Sequence, residues 1–119
     1  MKESILREKT KSISVKVLKL CDEIDTRKGK SVLINQIVKS STSIGANINE
    51  ANYASSRADF INKLHISLKE CFETEYWLDI LKELDCVPIE KIEEIKNECG
   101  VVRKILVKSI NTAKENENE

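Results

Sequence analysis

Residues 40–81 read SSTSIGANINEANYASSRADFINKLHISLKECFETEYWLDIL, and the fold is decided by how this stretch is divided. Its first part is a run of small side chains, and its second part carries apolar residues at helical spacing on two opposite sides. Ser56 followed by Asp59 resembles a capping box with Asp in place of the usual Glu or Gln, and Asp59 suits the positive end of a helix. Ser55 and Ser56 therefore separate two helices. Residues 40–49 are poor in intrinsic helix propensity, so a helix persists there only if packing compensates. Small side chains allow that by letting a neighbouring backbone approach closely. A phosphate-cradling loop is the functional alternative, but no GxxxxGK[ST] arrangement and no preceding strand accompany it.

The helix after Ser56 has a first stripe of Phe60, Leu64, Leu68, Cys71, Glu75 and Leu78, flanked by Ile61 and Phe72. Glu75 falls within that stripe, so it needs a cation from another helix, or the hydroxyls of Ser41 and Ser43, as partners. On the opposite side lie Ile66, Trp77, Ile80 and Leu84, with Glu70 and Glu73 among them. A bundle helix normally carries one apolar stripe and a charged back. A second stripe is more than one short chain can cover, so it is expected to meet another copy. Val15 and Leu18 repeat the feature more weakly near the start of the chain. The expected oligomer interface is therefore Val15, Leu18, Ile66, Glu70, Glu73, Trp77, Ile80 and Leu84. Burying Ile66, Trp77 and Ile80 would contribute about 1.5 to 3 kcal/mol per side chain before association costs. Trp77→Glu should then split the assembly and leave helicity intact.

Outward from this stretch, Leu6, Thr10, Ile13, Val17, Leu20, Cys21 and Ile24 recur at three- and four-residue steps and predict a helix over 3–24. Lys2, Lys9 and Lys16 border that stripe. The polar segment DTRKGKS, residues 25–31, is the first connection, and Ser31 is placed to cap a second helix over 31–54. Its inward stripe is Ile34, Ile37, Val38, Ser41, Ile44, Gly45, Ile48, Ala51 and Asn52. The third helix spans 57–85. Pro88 fits the first turn of a fourth, over 88–113, with the stripe Ile92, Ile95, Cys99, Val102, Leu106, Ile110 and Ala113. Residues 1–114 thus form one all-α bundle domain, and the charged tail 115–119 is expected to fray.

At 119 residues the chain is one domain, large enough for a core without metal or disulfide staples. Twenty basic and twenty acidic residues give no overall pull toward nucleic acid or membrane. The balance is uneven, however: residues 1–30 hold nine basic and five acidic side chains, and residues 57–86 hold four and seven. Helices one and three could therefore attract each other, within a protomer or between protomers. Cys21, Cys71, Cys86 and Cys99 show no CxxC pairing and have only His65 to assist, so they read as reduced, structural thiols. No signal-peptide pattern opens the chain and no apolar run reaches the roughly 20 residues that span a bilayer, so a cytoplasmic location is expected.

Catalytic and metal chemistry find little support. Glu70, Glu73, Glu75 and Asp79 form an acidic run, but di-metal carboxylate bundles need ExxH pairs and none occurs. His65 has no Ser or Cys at a recognisable spacing and no Gly-rich elbow. No enzyme activity, cofactor, metal, membrane or small-molecule substrate is expected. For nucleic acid the candidate contacts are Lys9, Lys16, Arg27, Lys28, Lys30, Arg103, Lys104 and Lys108, which repetition around a ring could multiply into a strong field. Against them stand the zero net charge and the lack of an aromatic stacking platform beside the basic residues.

The two motifs SSTSIGANINEA and ADFINKLHISLKECFETEYWLDIL together resemble the bacterial 23S rRNA-intervening-sequence proteins and the related accessory variability determinant (Avd) proteins of diversity-generating retroelements. Lys39-Ser40 stands where that pattern has Arg-Ser, and Ser67 and Cys71 each stand at an Ala position. The resemblance is strong over the middle third, while the outer helices agree in length and periodicity. It implies an antiparallel four-helix bundle assembled as a homopentameric ring, with non-enzymatic work linked to RNA. The signature set by position is Ser43, Gly45, Asn47, Glu50, Lys69, Glu70, Glu73, Thr74, Tyr76 and Trp77. The nucleic-acid-binding Avd relatives are basic as a group, whereas this chain is neutral. The expected function is an oligomeric bundle acting with structured RNA or the ribosome. The alternative is a protein scaffold or Avd-like accessory factor that partners a reverse transcriptase without touching nucleic acid.

Overall fold

The computed structural model describes residues 2–117, with side chains described for 5–116. Four helices account for almost all of it: α1 (Lys2–Cys21), α2 (Lys30–Ala51), α3 (Arg57–Leu84) and α4 (Ile89–Glu117). Each packs on its neighbours in the order α1–α2–α3–α4–α1, so α1 and α3 are diagonal and do not touch. Polar pairs fix the directions. Ser14 meets Ser41, Ser67 meets Ile44 and Thr74 meets Ser40; Lys96 meets Asp79, and Glu98 meets Ser12. With Thr10 against Gly45, Arg103 against Glu75 and Lys16 against Glu94, one number rises as the other falls in every adjacent pair, so all are antiparallel. The bundle is 53 Å long and about 20 Å across.

The helix ends follow local chemistry, with several departures from expectation. α1 stops at Cys21, but Glu23 and Ile24 donate to the carbonyls of Leu20 and Cys21, a tightened turn that keeps Ile24 in the core. Ser31 does not cap α2. Lys28 and Gly29 both take positive φ, 63° and 83°, and this sharp turn starts the helix at Lys30 with Gly29 at its cap. The capping box at α3 forms: Ser56 Oγ accepts from the Asp59 N–H at 3.1 Å. The short Asp59 side chain reaches back to the Ser55 N–H at 3.2 Å. Asp85, at φ 52°, ends α3 in the left-handed conformation. The Pro88 carbonyl accepts from the Lys91 N–H, so Pro88 sits just before α4 and not within its first turn. α4 continues past 113 to Glu117, since no Gly or Pro follows Gly100; residues 118–119 of the expected tail lie outside the described residues.

The apolar stripe expected of α4 is buried at all seven positions, and that of α1 at all but Cys21, which is half-buried. α3 differs. Its buried line is Ile61, Leu64, Ser67, Cys71, Thr74, Leu78 and Leu81, while Phe60 and Leu68 are half-buried and Glu75 stands on the shoulder beside α4. Ser67 and Thr74 can occupy core positions because carbonyls accept their protons. Ser67 Oγ donates to Ile44 O at 2.8 Å, and Thr74 Oγ1 lies 2.9 Å from both Glu70 O and Ser40 Oγ. These are small polar groups facing the small side chains of α2. Asn52, placed on the inward stripe of α2, is exposed.

α1 and α2 approach closely at Gly45. A Cβ there would lie 3.0 Å from Thr10 Oγ1 and 3.2 Å from Thr10 Cβ, so α1 can seat against α2 only where this side chain is missing. The four thiols are free. Cys71 and Cys99 are buried, and the Cys71 thiol points at the Cys99 carbonyl at 3.4 Å. Desolvation pushes Cys21 up to about 11, with Asp22 adding to it, which leaves it protonated and unreactive at neutral pH.

Candidate functional site

Among the described residues no three His, Cys, Asp or Glu side chains gather as a metal-ligand set, and His65 is exposed on α3. Among the described residues no helix is long and apolar enough to cross a membrane. The outside of the bundle carries exposed apolar and charged surfaces.

The outer face of α3 that borders α2 is one of them. Ile66 and Ile80 are half-exposed there and belong neither to the core nor to the shell packed on it. Trp77 sits between them along the helix, packs partly on the core, and makes an edge-to-face contact with Tyr76 at 5.1 Å between centroids. Its indole N–H is shut off from water and has no acceptor. Because Trp77 has a foot in the core, Trp77→Glu would strain the protomer as well as the outer face, so it does not isolate assembly in the way the sequence suggested. Leu84 extends the face and is 48% exposed.

Two carboxylates interrupt the apolar surface. Glu70 and Glu73 are both half-buried. Burial first, and then hydrogen bonding to Glu73 and its charge, raise the Glu70 carboxyl above the ordinary carboxylate range, against the pull of Lys69 and Lys39. On the diagonal helix, Val15 and Leu18 are 42% and 46% exposed. The eight candidate interface residues thus form two separate patches, one on α3 and one on α1.

The signature residues divide between structure and surface. Gly45 and Thr74 make helix contacts inside the bundle. Ser43 donates to Lys39 O and the Asn47 amide donates to Ser43 O, so both serve α2 itself. Glu50 pairs with Lys63 across the α2–α3 seam at 3.1 Å. Lys69 and Tyr76 are exposed.

The basic candidates do not form one surface. Arg27 is held by Asp25 and Lys16 by Glu94 and Glu98 on α4, the Glu98 contact raising the lysine pKa. Arg27, Lys28 and Lys30 sit at one end of the bundle, in and just after the α1–α2 connection. Arg103, Lys104 and Lys108 lie on α4 toward the other end, and Lys9 is half-buried on α1. Arg103 answers the question posed by Glu75: its Nε and Nη2 both donate to that carboxylate, the second at 3.1 Å.

Sequence reasoning missed one association. The Arg103 guanidinium also stacks over the Phe72 ring, 5.2 Å from its centroid, while Phe72 stays 54% exposed. An aromatic does therefore accompany the basic residues of α4. It could not be read from the chain because the partners come from two helices 31 positions apart.

Comparison with known proteins gives a consistent answer. The family model described as 23S rRNA-intervening sequence protein matches residues 2–108. The fold is shared with the crystal structure of a protein with unknown function from the S23 ribosomal protein family of Bacteroides thetaiotaomicron. That chain is 41% identical, with a TM-score of 0.86, over 93% of this chain and 99% of that one. No curated protein matches. Matched over nine-tenths of its length and folded as four antiparallel helices, the chain belongs to the 23S rRNA-intervening sequence protein family.

Proposed function

We propose that this protein is a non-enzymatic, cytoplasmic building block whose copies join head to tail into a ring, the outer face of α3 on one copy seating against α1 of the next, and that the ring acts with structured RNA. The observation that carries the assembly is the α3 face: Ile66 and Ile80 half-exposed outside the core, beside an indole N–H with no acceptor. Charge supports the pairing. The first 30 residues carry nine basic and five acidic side chains, and residues 57–86 carry four and seven. Within one protomer α1 and α3 are diagonal, so this attraction is available only between copies. An α3-to-α3 contact would set Glu70 and Glu73 against themselves, whereas an α3-to-α1 contact sets them against lysines. A head-to-tail contact that repeats closes into a ring when its rotation allows, and the resemblance described above implies five copies.

The RNA link is supported by the family description, which ties these proteins to 23S rRNA. Retention on 23S rRNA fragments, falling with added salt, is the expected result; no retention at low salt would leave a protein scaffold as the function.

Glu70 provides a titration test of the assembly. A carboxyl raised in the folded protomer contributes stability that is fully present below its unfolded pKa, about 4.3, and is lost as pH rises through the folded value. Glu70→Gln should therefore stabilise the dissociated protomer at pH 7 in urea denaturation, with the gain vanishing near pH 4. In the ring the same substitution removes a partner for the next copy's lysines and should weaken assembly. Opposite signs in the two measurements are the expected outcome.

A further inference from the structure

The α3–α4 seam carries a surface that the assembly reading leaves unused. A cleft of about 550 Å³ runs between Phe72 on α3 and Arg103, Lys104, Val107 and Lys108 on α4, with the single carboxylate of Glu115 at its end. A second, of about 520 Å³, continues it toward the open end of the bundle past Arg57 and Phe60, and the two share Thr112. Among the described residues, Lys104, Lys108 and Arg57 make no ion pair, whereas Arg103 beside them is tied to Glu75. Lys104 and Lys108 are one helical turn apart and repel each other, a cost unless an anion lies between them and the solvent. Arg103, fixed by two bonds to Glu75, lies over the Phe72 ring, and more than half of the Phe72 surface stays exposed.

We infer that this seam is a binding site for single-stranded RNA, with a base stacked on Phe72 and the backbone phosphates on Lys104 and Lys108. The chemistry is that of sequence-tolerant single-strand binding, in which a basic groove follows the backbone and an aromatic face takes the base. Duplex RNA, with its bases already stacked, offers Phe72 nothing. The positive charge of the groove attracts carboxylates as well as phosphates, so the aromatic ring is what separates RNA from an acidic protein segment. The inference rests on the RNA reading above and narrows it to one strand form and one seam.

The test is fluorescence anisotropy of the full chain with a labelled single-stranded RNA, a duplex of the same length and polyglutamate, over a series of salt concentrations. Single-stranded RNA should bind tightest. Phe72→Ala should weaken it on the order of tenfold with the salt slope unchanged. Lys104→Gln with Lys108→Gln should flatten the slope of log K against log salt by about 1.4, the loss of two phosphate contacts. If the wild-type protein binds RNA and both variants bind it equally well, the seam is wrong while the RNA reading stands. Failure of the wild-type protein to bind any RNA at low salt removes both. Preference for the duplex, or polyglutamate binding that depends equally on Phe72, would also overturn the assignment.

Discussion

Gly45→Leu should destabilise the protomer by about 3 kcal/mol or more, lowering its melting temperature by roughly 10 °C. Even a bare Cβ at this position would stand 3.0 Å from Thr10 Oγ1 and 3.2 Å from Thr10 Cβ. Thr10 cannot move aside. It is buried, β-branched, and its hydroxyl donates to the Leu6 carbonyl at 2.7 Å, so any relief requires α1 itself to shift away from α2. Leucine adds three further carbons to that clash. Alanine is the finer probe, since it gains about 1 kcal/mol of helix propensity over glycine. With Thr10 fixed, the overlap should outweigh that gain, and Gly45→Ala should still come out less stable in urea denaturation. A stabilised Gly45→Ala variant would show that the seam between α1 and α2 is looser than these distances imply.

The second large effect concerns assembly. Ile66→Lys combined with Ile80→Lys should convert the oligomer to monomers while leaving the helical circular dichroism and melting of the protomer nearly unchanged. Neither side chain belongs to the core or to the shell around it, so the fold loses little. Each is already half-buried in the protomer and forfeits about 0.8 to 1.5 kcal/mol of apolar burial at a contact, and the new ammonium groups face the lysines of the neighbour's α1. At tenfold per 1.4 kcal/mol, the pair should weaken each contact by roughly ten- to a hundredfold. Size-exclusion chromatography with light scattering distinguishes the outcomes. A full-sized oligomer from this variant would remove α3 from the interface.

How far the sequence could be read depended on what kind of side chain held each position. The core stripe of α4 was legible throughout, because Ile92 to Ala113 is a regular stripe of alkyl groups and one thiol facing the other helices, but its two ends were not. α3 was legible in length and cap but not in rotation. Ser67 and Thr74 are core residues whose polar atoms are satisfied by carbonyls, while Phe60, Leu68 and Phe72 are wholly or partly outside, so hydrophobicity alone turned the helix by a fraction of a turn. Glu75 was identifiable as a carboxylate in need of a cation, and Arg103 supplies it from α4. Ser31 misled because a preference for capping says nothing about the two positive-φ residues before it. Among the surface residues, the basic cluster on α4 could be seen in the chain, but Phe72 beside it could not, because that neighbourhood exists only after α3 and α4 pack.

Coverage of the outer face of α3 by another copy is tested directly by the native mass of the unmodified protein in solution. A mass near five times the 13.6 kDa chain is the expected result. A single 13.6 kDa species at micromolar and higher concentrations would contradict it, leaving Ile66 and Ile80 facing water and the head-to-tail ring without a basis.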